Sequence, residues 1–143
     1  MQIKIADNLE KLRLISPVLL QLRPQYTEEK LVSRIQAQQA DGYRVAFVED
    51  QGKILCVAGF VMGQKLAWGK HLYVDDLVTA ESHRSTGAGK FMIDWLKQYA
   101  RDCGCQQLHL DSGASRLDAH RFYLREGFEF TSHHFAIRNL DEN

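Results

Sequence analysis

The feature that most restricts what this chain can fold into is a glycine-rich loop in its second half. Residues 84–90 read RSTGAGK and lie between a strand-like run that ends near Thr79 and a strong helical pattern. Glycines there let backbone N–H groups turn inward, at a helix N-terminus whose partial positive charge favours an anion. Arg84 adds a guanidinium suited to phosphate, so a pyrophosphate-bearing ligand fits the loop. A solvated turn that starts a helix fits it about equally well, because short glycine motifs are weak.

Two other nucleotide-binding motifs are excluded by individual residues of the same segment. A Walker A loop requires glycine at the position of Arg84 and serine or threonine at the position of Phe91. A dinucleotide-binding fingerprint requires a third glycine, and this chain has Met92 at that position. The loop therefore belongs to neither of these motifs.

Hydrophobic periodicity and turn residues predict a series of strands and helices along the chain. The predicted order is βααβββαβαββ, with strands at 2–5, 43–48, 54–62, 71–78 and 107–110, a final strand pair around Phe128 and at 134–137, and four helices between them. Asp7 or Asn8 can cap the first helix, and a capping-box pattern at residues 115–118 opens the last one. This order predicts an α+β or α/β layer protein built on a mixed sheet.

The chain is long enough for one hydrophobic core and carries no net charge. It has 143 residues, of which 45% are hydrophobic, and no linker or repeat interrupts it, so a single domain over residues 1–143 is expected. Lys plus Arg and Asp plus Glu both total 18. This balance disfavours nucleic acid and membrane surfaces as partners, because both attract basic proteins. No apolar stretch is long enough to span a bilayer, so a soluble protein is expected.

Three cysteines bear on the cellular compartment and on metal binding. Cys56, Cys103 and Cys105 are too few and too close together for a disulfide framework, and their odd number fits a reducing cytoplasm. No second ligand pair stands at zinc spacing from Cys103 and Cys105. We therefore predict a cytoplasmic protein with no metal, and the sequence leaves open whether it is a monomer or a homodimer.

Two motifs in this order of elements resemble the Gcn5-related N-acetyltransferase (GNAT) superfamily over residues 43–137. Residues 84–89 match the pattern R/Q-x-x-G-x-G/A, and residues 119–128 match A-x-x-F-Y-x-x-x-G-F. The resemblance implies a GNAT fold, which is a mixed, mostly antiparallel sheet with a central splayed pair of parallel strands, flanked by helices. It also implies acetyl-CoA as the cosubstrate and acetyl transfer to a primary amine.

The same resemblance implies a set of cofactor-binding residues. The CoA diphosphate is expected on the loop formed by Arg84, Ser85, Thr86, Gly87, Ala88 and Gly89. The backbone of Leu77, Val78 and Thr79 is expected to bind the pantetheine arm. The N–H groups near Leu77 and Val78 should face the thioester carbonyl, because a bulge there leaves them without strand partners. Arg116 stands where many members have asparagine, and it is expected to replace that cofactor contact with a charge.

The resemblance also implies a general acid and a general base. Tyr123 matches the tyrosine that commonly protonates the leaving sulfur, whereas the alternative is a core aromatic on its helix face. The base is expected at a position matching Tyr73 or Asp75, and we favour Asp75. Asp76 is its neighbour in a strand, so it points to the opposite face unless a bulge shifts the phase. We expect Asp76 to fix local structure by accepting backbone hydrogen bonds.

The sequence does not identify the acceptor amine. Three histidines are weaker candidates for a proton-transfer role: His71, His109 and His120. Three further residues come from segments that usually border the acceptor site in this fold: Arg23, Tyr26 and Trp68. A small-molecule amine is the favoured acceptor. A peptide α-amine or lysine is an alternative, and so is a GNAT domain that binds CoA as a sensor without catalysis.

Overall fold

The computed structural model describes residues 1–142, which divide into two compact parts, residues 1–110 and residues 111–142. The first part contains β1 (Gln2–Ile5), α1 (Leu9–Leu22), α2 (Glu28–Ala40), β2 (Arg44–Asp50), β3 (Lys53–Lys65), β4 (Gly69–Thr79), α3 (Ala88–Asp102) and β5 (Gln107–Leu110). The second part contains α4 (Leu117–Arg125). Short 3₁₀ helices occur at Glu81–His83 and Leu140–Glu142.

The first part is built on one five-stranded sheet whose strands lie in sequence order, β1-β2-β3-β4-β5. The first three pairings are antiparallel, and β4 pairs with β5 in parallel. That parallel pairing covers only residues 71–74 of β4, although the strand continues to Thr79. The structure therefore confirms the predicted mixed, mostly antiparallel sheet. It contains one parallel strand pair, and the pairing of these two strands ends at Val74.

Helices cover both faces of this sheet because successive side chains of a strand point to opposite sides. Val45, Phe47 and Val57 belong to a buried cluster with residues of α1 and α2. On the other face Phe60 makes edge-to-face contacts with Trp95 and Tyr99 of α3, at centroid distances of 6.1 and 5.6 Å. The core therefore lies on both sides of β2, β3 and β4.

Side chains cap the starts of α1 and α2. Asn8 caps α1 by accepting from the Lys11 N–H at 2.8 Å, and Thr27 caps α2 by accepting from the Lys30 N–H at 3.3 Å. The capping box predicted for α4 is wrong, because its N-cap residue is Arg116 and makes no side-chain cap hydrogen bond. Within residues 1–142, no helix combines the length and apolar character needed to cross a membrane.

The predicted final strand pair is also wrong. Between α4 and Leu140, the described residues form no strand, so the observed order is βααβββαβα. The apolar side chains that suggested strands are largely exposed, with Phe130 at 76%, Phe135 at 90% and Ile137 at 73%. A strand needs a neighbouring strand for its backbone hydrogen bonds, and a local apolar pattern does not provide one.

Candidate active site

A β-bulge in β4 brings two adjacent carboxylates to one site. Gly59 of β3 lies opposite Asp76, and the next residue, Phe60, lies opposite Val74, so Asp75 is the extra residue of the bulge. A bulge changes the direction of side chains along its strand. Asp75 and Asp76 therefore both line one cavity, instead of pointing to opposite faces as strict alternation would require.

The bulge does not lie where the resemblance placed it. Leu77 and Val78, expected to lack strand partners, pair with Ala58 and Val57 of β3. On the other edge of β4, the pairing with β5 stops at Val74, because β5 ends at Leu110. Among the described strands, residues 76–79 of β4 consequently have a partner on one side alone, and the bulged Asp75 is paired on neither side.

The cavity lies between α1, α2 and β4 and has a volume of about 290 Å³. This is near the lower end of the range for small-molecule sites. Its lining combines apolar side chains with two arginines, two carboxylates and several neutral polar groups: Leu19, Arg23, Gln25, Tyr26, Leu31, Arg34, Ile35, Gln38, Tyr43, Asp75 and Asp76. Of the residues expected at the acceptor site, Arg23 and Tyr26 are among them.

Asp76 is held by side chains from two other elements. The Arg23 Nε donates to Asp76 Oδ1 at 2.9 Å, and Nη2 of the same guanidinium lies 2.8 Å from that oxygen. The Tyr43 hydroxyl donates to Asp76 Oδ2 at 2.6 Å. We expected backbone donors at Asp76, but its donors include the side chains of an arginine and a tyrosine. Charge-assisted bonds of this kind are among the stronger hydrogen bonds in proteins.

Tyr43 is a protonated donor buried in the core. Only 3% of its surface is exposed, and this burial, followed by the negative charge of Asp76, raises the pKa of Tyr43 far above its ordinary value. The ring approaches so closely to Gly59 that a Cβ atom at that position would overlap its hydroxyl and ring carbons. Gly59 therefore leaves the space in which Tyr43 reaches Asp76.

Asp75 has a different environment from that of Asp76. Asp75 is exposed at the surface. Partial burial of its carboxylate raises the pKa of Asp75, the charge of Asp76 raises it further, and Arg23 opposes both effects. Arg23 also donates to the Asp75 backbone oxygen at 3.2 Å. A carboxylate with a raised pKa binds a proton more strongly than an ordinary one, which favours a role as a general base.

The glycine-rich loop leads directly into α3. Gly87 has φ of +87° and is the N-cap residue, with α3 beginning at Ala88. Ser85 is also left-handed, with φ of 67°, and the Thr86 hydroxyl donates to the His83 oxygen at 2.7 Å. In the described part of the chain, no side chain caps the N-terminus of α3. Its first N–H groups are therefore suited to an anion.

Tyr123 and Arg116 belong to the second part of the chain. Tyr123 lies on α4, is half-buried, and packs against Phe122 and Phe128 at centroid distances of 5.4 and 5.7 Å. Arg116 is exposed at the start of α4. On the same helix the His120 Nε2 lies 2.7 Å from the Gly113 backbone oxygen.

A comparison with protein families decides the identity of this fold. Residues 11–128 match the model of the acetyltransferase (GNAT) family. The chain belongs to this family. The match extends from α1 to the residue that follows Gly127, and so includes the bulge, the loop and α4.

Known relatives agree with this assignment. An uncharacterized N-acetyltransferase, YhdJ, of Bacillus subtilis is 33% identical over 83% of this chain and 85% of its own length. The aminoalkylphosphonate N-acetyltransferase of Salmonella typhimurium is 34% identical over 44% of this chain and 41% of its own length. An aminoglycoside N-acetyltransferase solved in complex with CoA superimposes with a TM-score of 0.81 at 17% identity, covering 96% of this chain and 94% of that one. The chain is an acetyl-CoA-dependent N-acetyltransferase.

The acetyltransferase places its two candidate sheet histidines in an aromatic cluster formed by Trp68, His71, Tyr73 and His109. Trp68 stacks on His109 with a centroid distance of 3.4 Å and meets His71 edge-on at 5.1 Å. The Lys65 ammonium lies 3.9 Å from the centre of the Trp68 ring. Trp68 was expected to border the acceptor site, but within the described residues it belongs to this cluster and is not part of the cavity lining.

Most residues that line the cavity of this acetyltransferase were not predicted from the sequence. Arg34 and Gln38 are exposed residues of α2, and in the sequence they resemble any solvated helix face. Tyr43 looked like the first residue of a strand. A signal did exist for Arg34, because it stands three residues after Leu31 and four before Gln38, on the same helix face.

Proposed function

We propose that this acetyltransferase transfers the acetyl group of acetyl-CoA to the primary amine of a small molecule. The observation that carries the proposal is the cavity between α1, α2 and β4, into which the bulge brings Asp75. Its volume of about 290 Å³ suits a compact molecule. The relatives that act on aminoalkylphosphonates and aminoglycosides, by their names, support a small-molecule acceptor.

Asp75 is proposed as the base that removes a proton from the acceptor. An alkylammonium group has a pKa of about 10 and lacks a lone pair until it is deprotonated. The Asp75 carboxylate accepts that proton, directly or through water, and the neutral amine can then attack. Asp76 is proposed as a positioning residue, because Arg23 and Tyr43 already occupy both of its oxygens.

The cosubstrate site is proposed on β4 and the loop that follows it. Acetyl-CoA supplies the acetyl thioester that the amine attacks. The uncapped N-terminus of α3 and the exposed guanidinium of Arg84 fit its diphosphate, through Arg84, Ser85, Thr86, Gly87, Ala88 and Gly89. The backbone of Leu77, Val78 and Thr79 is proposed to hold the pantetheine arm, since this stretch of β4 extends beyond the end of β5.

Two further roles are proposed for residues of the second part. The Tyr123 hydroxyl donates a proton to the departing sulfur, which makes the thiol of CoA the leaving group. Arg116 is proposed to contact the cofactor with its charge. Residues 1–143 are proposed to act as one domain, because the family match runs across both parts of the chain. The three free cysteines support a reducing, cytoplasmic location.

The decisive experiment is a panel of small amines and lysine-containing peptides, with release of the CoA thiol as the readout. We expect turnover with at least one small amine and markedly weaker turnover with every peptide. Preference for a peptide would replace the small-molecule acceptor by a protein one. Tight CoA binding without turnover on any amine would contradict the enzymatic proposal and indicate a CoA sensor.

A further inference from the structure

The charged side chains that line the main cavity do not all pair with one another. Arg23 and Asp76 form the ion pair described above. Arg34 and the Asp75 carboxylate also line the cavity, and within residues 1–142 neither group forms a hydrogen bond or an ion pair. The cavity therefore presents one cationic and one anionic group whose hydrogen-bonding capacity is available to a bound molecule.

Arg34 belongs to the cavity by virtue of its position on α2. Leu31, Ile35 and Gln38 lie on the same side of this helix and line the same cavity. Arg34 and Tyr26 also line a second cavity of about 460 Å³, whose other lining residues belong to α2. Arg34 is therefore shared by the two cavities, one of which also contains Asp75.

The two groups have different requirements. A guanidinium binds a carboxylate or a phosphonate through two parallel hydrogen bonds, while a carboxylate accepts from an ammonium group. A neutral alkylamine would leave Arg34 without a partner, and a diamine would bring a second positive charge toward it. A molecule with an amino group and an anionic group joined by a short chain satisfies Arg34 and Asp75 together.

We propose that the acceptor is a zwitterion, a short-chain amine whose carboxylate or phosphonate is bound by Arg34 while its amino group faces Asp75. This inference rests on the proposed function and narrows it to one class of substrate. Arg34 becomes a residue that determines specificity, acting on the part of the acceptor that does not react.

The test compares four amines of similar chain length: γ-aminobutyrate, aminopropylphosphonate, n-butylamine and putrescine. We expect kcat/KM for the better of the two anionic amines to exceed that for n-butylamine by about 10- to 100-fold, the scale of one charge-assisted bidentate contact. Putrescine should be the poorest substrate. The better of the two anionic amines shows whether the anionic group of the natural acceptor is a carboxylate or a phosphonate.

Variants assign the preference to one side chain. Arg34→Gln should reduce the preference for the anionic amine to a fewfold, mainly through KM, whereas Arg34→Lys should retain part of it. Arg13→Gln removes an exposed arginine of α1 that does not line the cavity, and it should leave the preference unchanged. Because Arg34 is exposed, unfolding temperatures of these variants should match that of the natural protein.

Three results would contradict the inference in distinguishable ways. Preference for n-butylamine or putrescine would overturn the zwitterion and leave the enzymatic proposal standing. Full retention of the anionic preference in Arg34→Gln would remove Arg34 from the site. Failure to acetylate any amine of the panel, despite CoA binding, would contradict the proposed function itself and the inference with it.

Discussion

At Gly59 the lack of a side chain has consequences for a residue on another strand. The Tyr43 ring occupies the volume that a Cβ atom would need, and from there its hydroxyl reaches Asp76 at 2.6 Å. Arg23 holds the other oxygen of the same carboxylate. These contacts hold the Asp76 carboxylate beside Asp75, and its charge contributes to the raised pKa of Asp75.

Gly59→Ala should therefore be strongly destabilising. The new methyl group forces Tyr43 to move, which adds overpacking to the loss of a hydrogen bond to a charged group, together about 2–4 kcal/mol of unfolding free energy. The measurement is chemical denaturation. Gly63→Ala on the same strand is the matched control, because the nearest atoms to its Cβ, in the His71 ring, lie at 3.4 Å. Equal stability of the two variants would mean that Tyr43 is not confined as described.

The two carboxylates should respond differently to pH. If Asp75 is the base, kcat/KM of the natural enzyme should rise as pH increases through the raised pKa of Asp75, because the base works only when deprotonated. Asp75→Asn should lose most activity at neutral pH and recover part of it at high pH, where free amine is more abundant. The measurement is a pH–rate profile with the best available amine.

Asp76→Asn provides the contrast for this prediction. Removal of its charge takes away one cause of the raised pKa of Asp75, so the acidic limb of the profile should move to lower pH. The variant should also unfold at a lower temperature, because Arg23 loses its ion pair. Loss of turnover in Asp76→Asn at an unchanged melting temperature, with Asp75→Asn active, would require the two roles to be exchanged.

Tyr123→Phe tests the general acid by removal of a single hydroxyl. Packing against Phe122 and Phe128 involves the ring, so the variant should fold and bind CoA normally. Turnover should fall by about ten- to a thousand-fold, the usual scale of general acid catalysis or somewhat below it. Tyr99→Phe on α3 is the control with the same chemical change and should keep its kcat. An unchanged kcat in Tyr123→Phe would leave Tyr123 as a packing residue.

At the scale of secondary-structure elements, the junction between the loop and α3 depends on a left-handed residue. Gly87 has φ of +87° and occupies the N-cap position of α3. Because glycine has no side chain, it cannot cap the first N–H groups of the helix. No atom lies within 4 Å of a Cβ built on Gly87, so a side chain there would extend into open space next to the loop. This is the space that the proposal assigns to the CoA diphosphate.

Gly87→Glu should reduce CoA affinity by about tenfold or more, because it places a carboxylate beside the expected diphosphate and strains the left-handed backbone. Calorimetric titration with CoA measures the change. Gly52→Glu, in the β2–β3 turn, separates the two causes, since Gly52 has φ of +77° and an equally open Cβ position. It should cost stability alone. Equal affinity in a folded Gly87→Glu protein would contradict the placement of the diphosphate.

Several elements were predictable because their signals are local. Strand β5 was predicted over the residues it occupies, and Asn8, one of the two residues predicted as the cap of α1, does cap it. Caps and turns depend on residues two to four positions apart, which a sequence displays directly. The strand pair expected after α4 failed for the opposite reason, because its stability depends on a partner that the local pattern cannot reveal.

At the scale of the whole molecule, the sequence by itself determined the family, the mixed sheet, the glycine-rich loop and the presence of two adjacent carboxylates in one strand. All of these follow from periodicity and from motifs of fewer than a dozen residues. Only the tertiary structure decided that Asp75 is the bulged residue, that Arg23 and Tyr43 hold Asp76, and that Arg34 lines the cavity. The Arg23 and Tyr43 contacts to Asp76 join residues that are 53 and 33 positions apart in the chain, and the cavity lining comes from several elements. Such contacts depend on strand register and on helix packing, and both are properties of the assembled core.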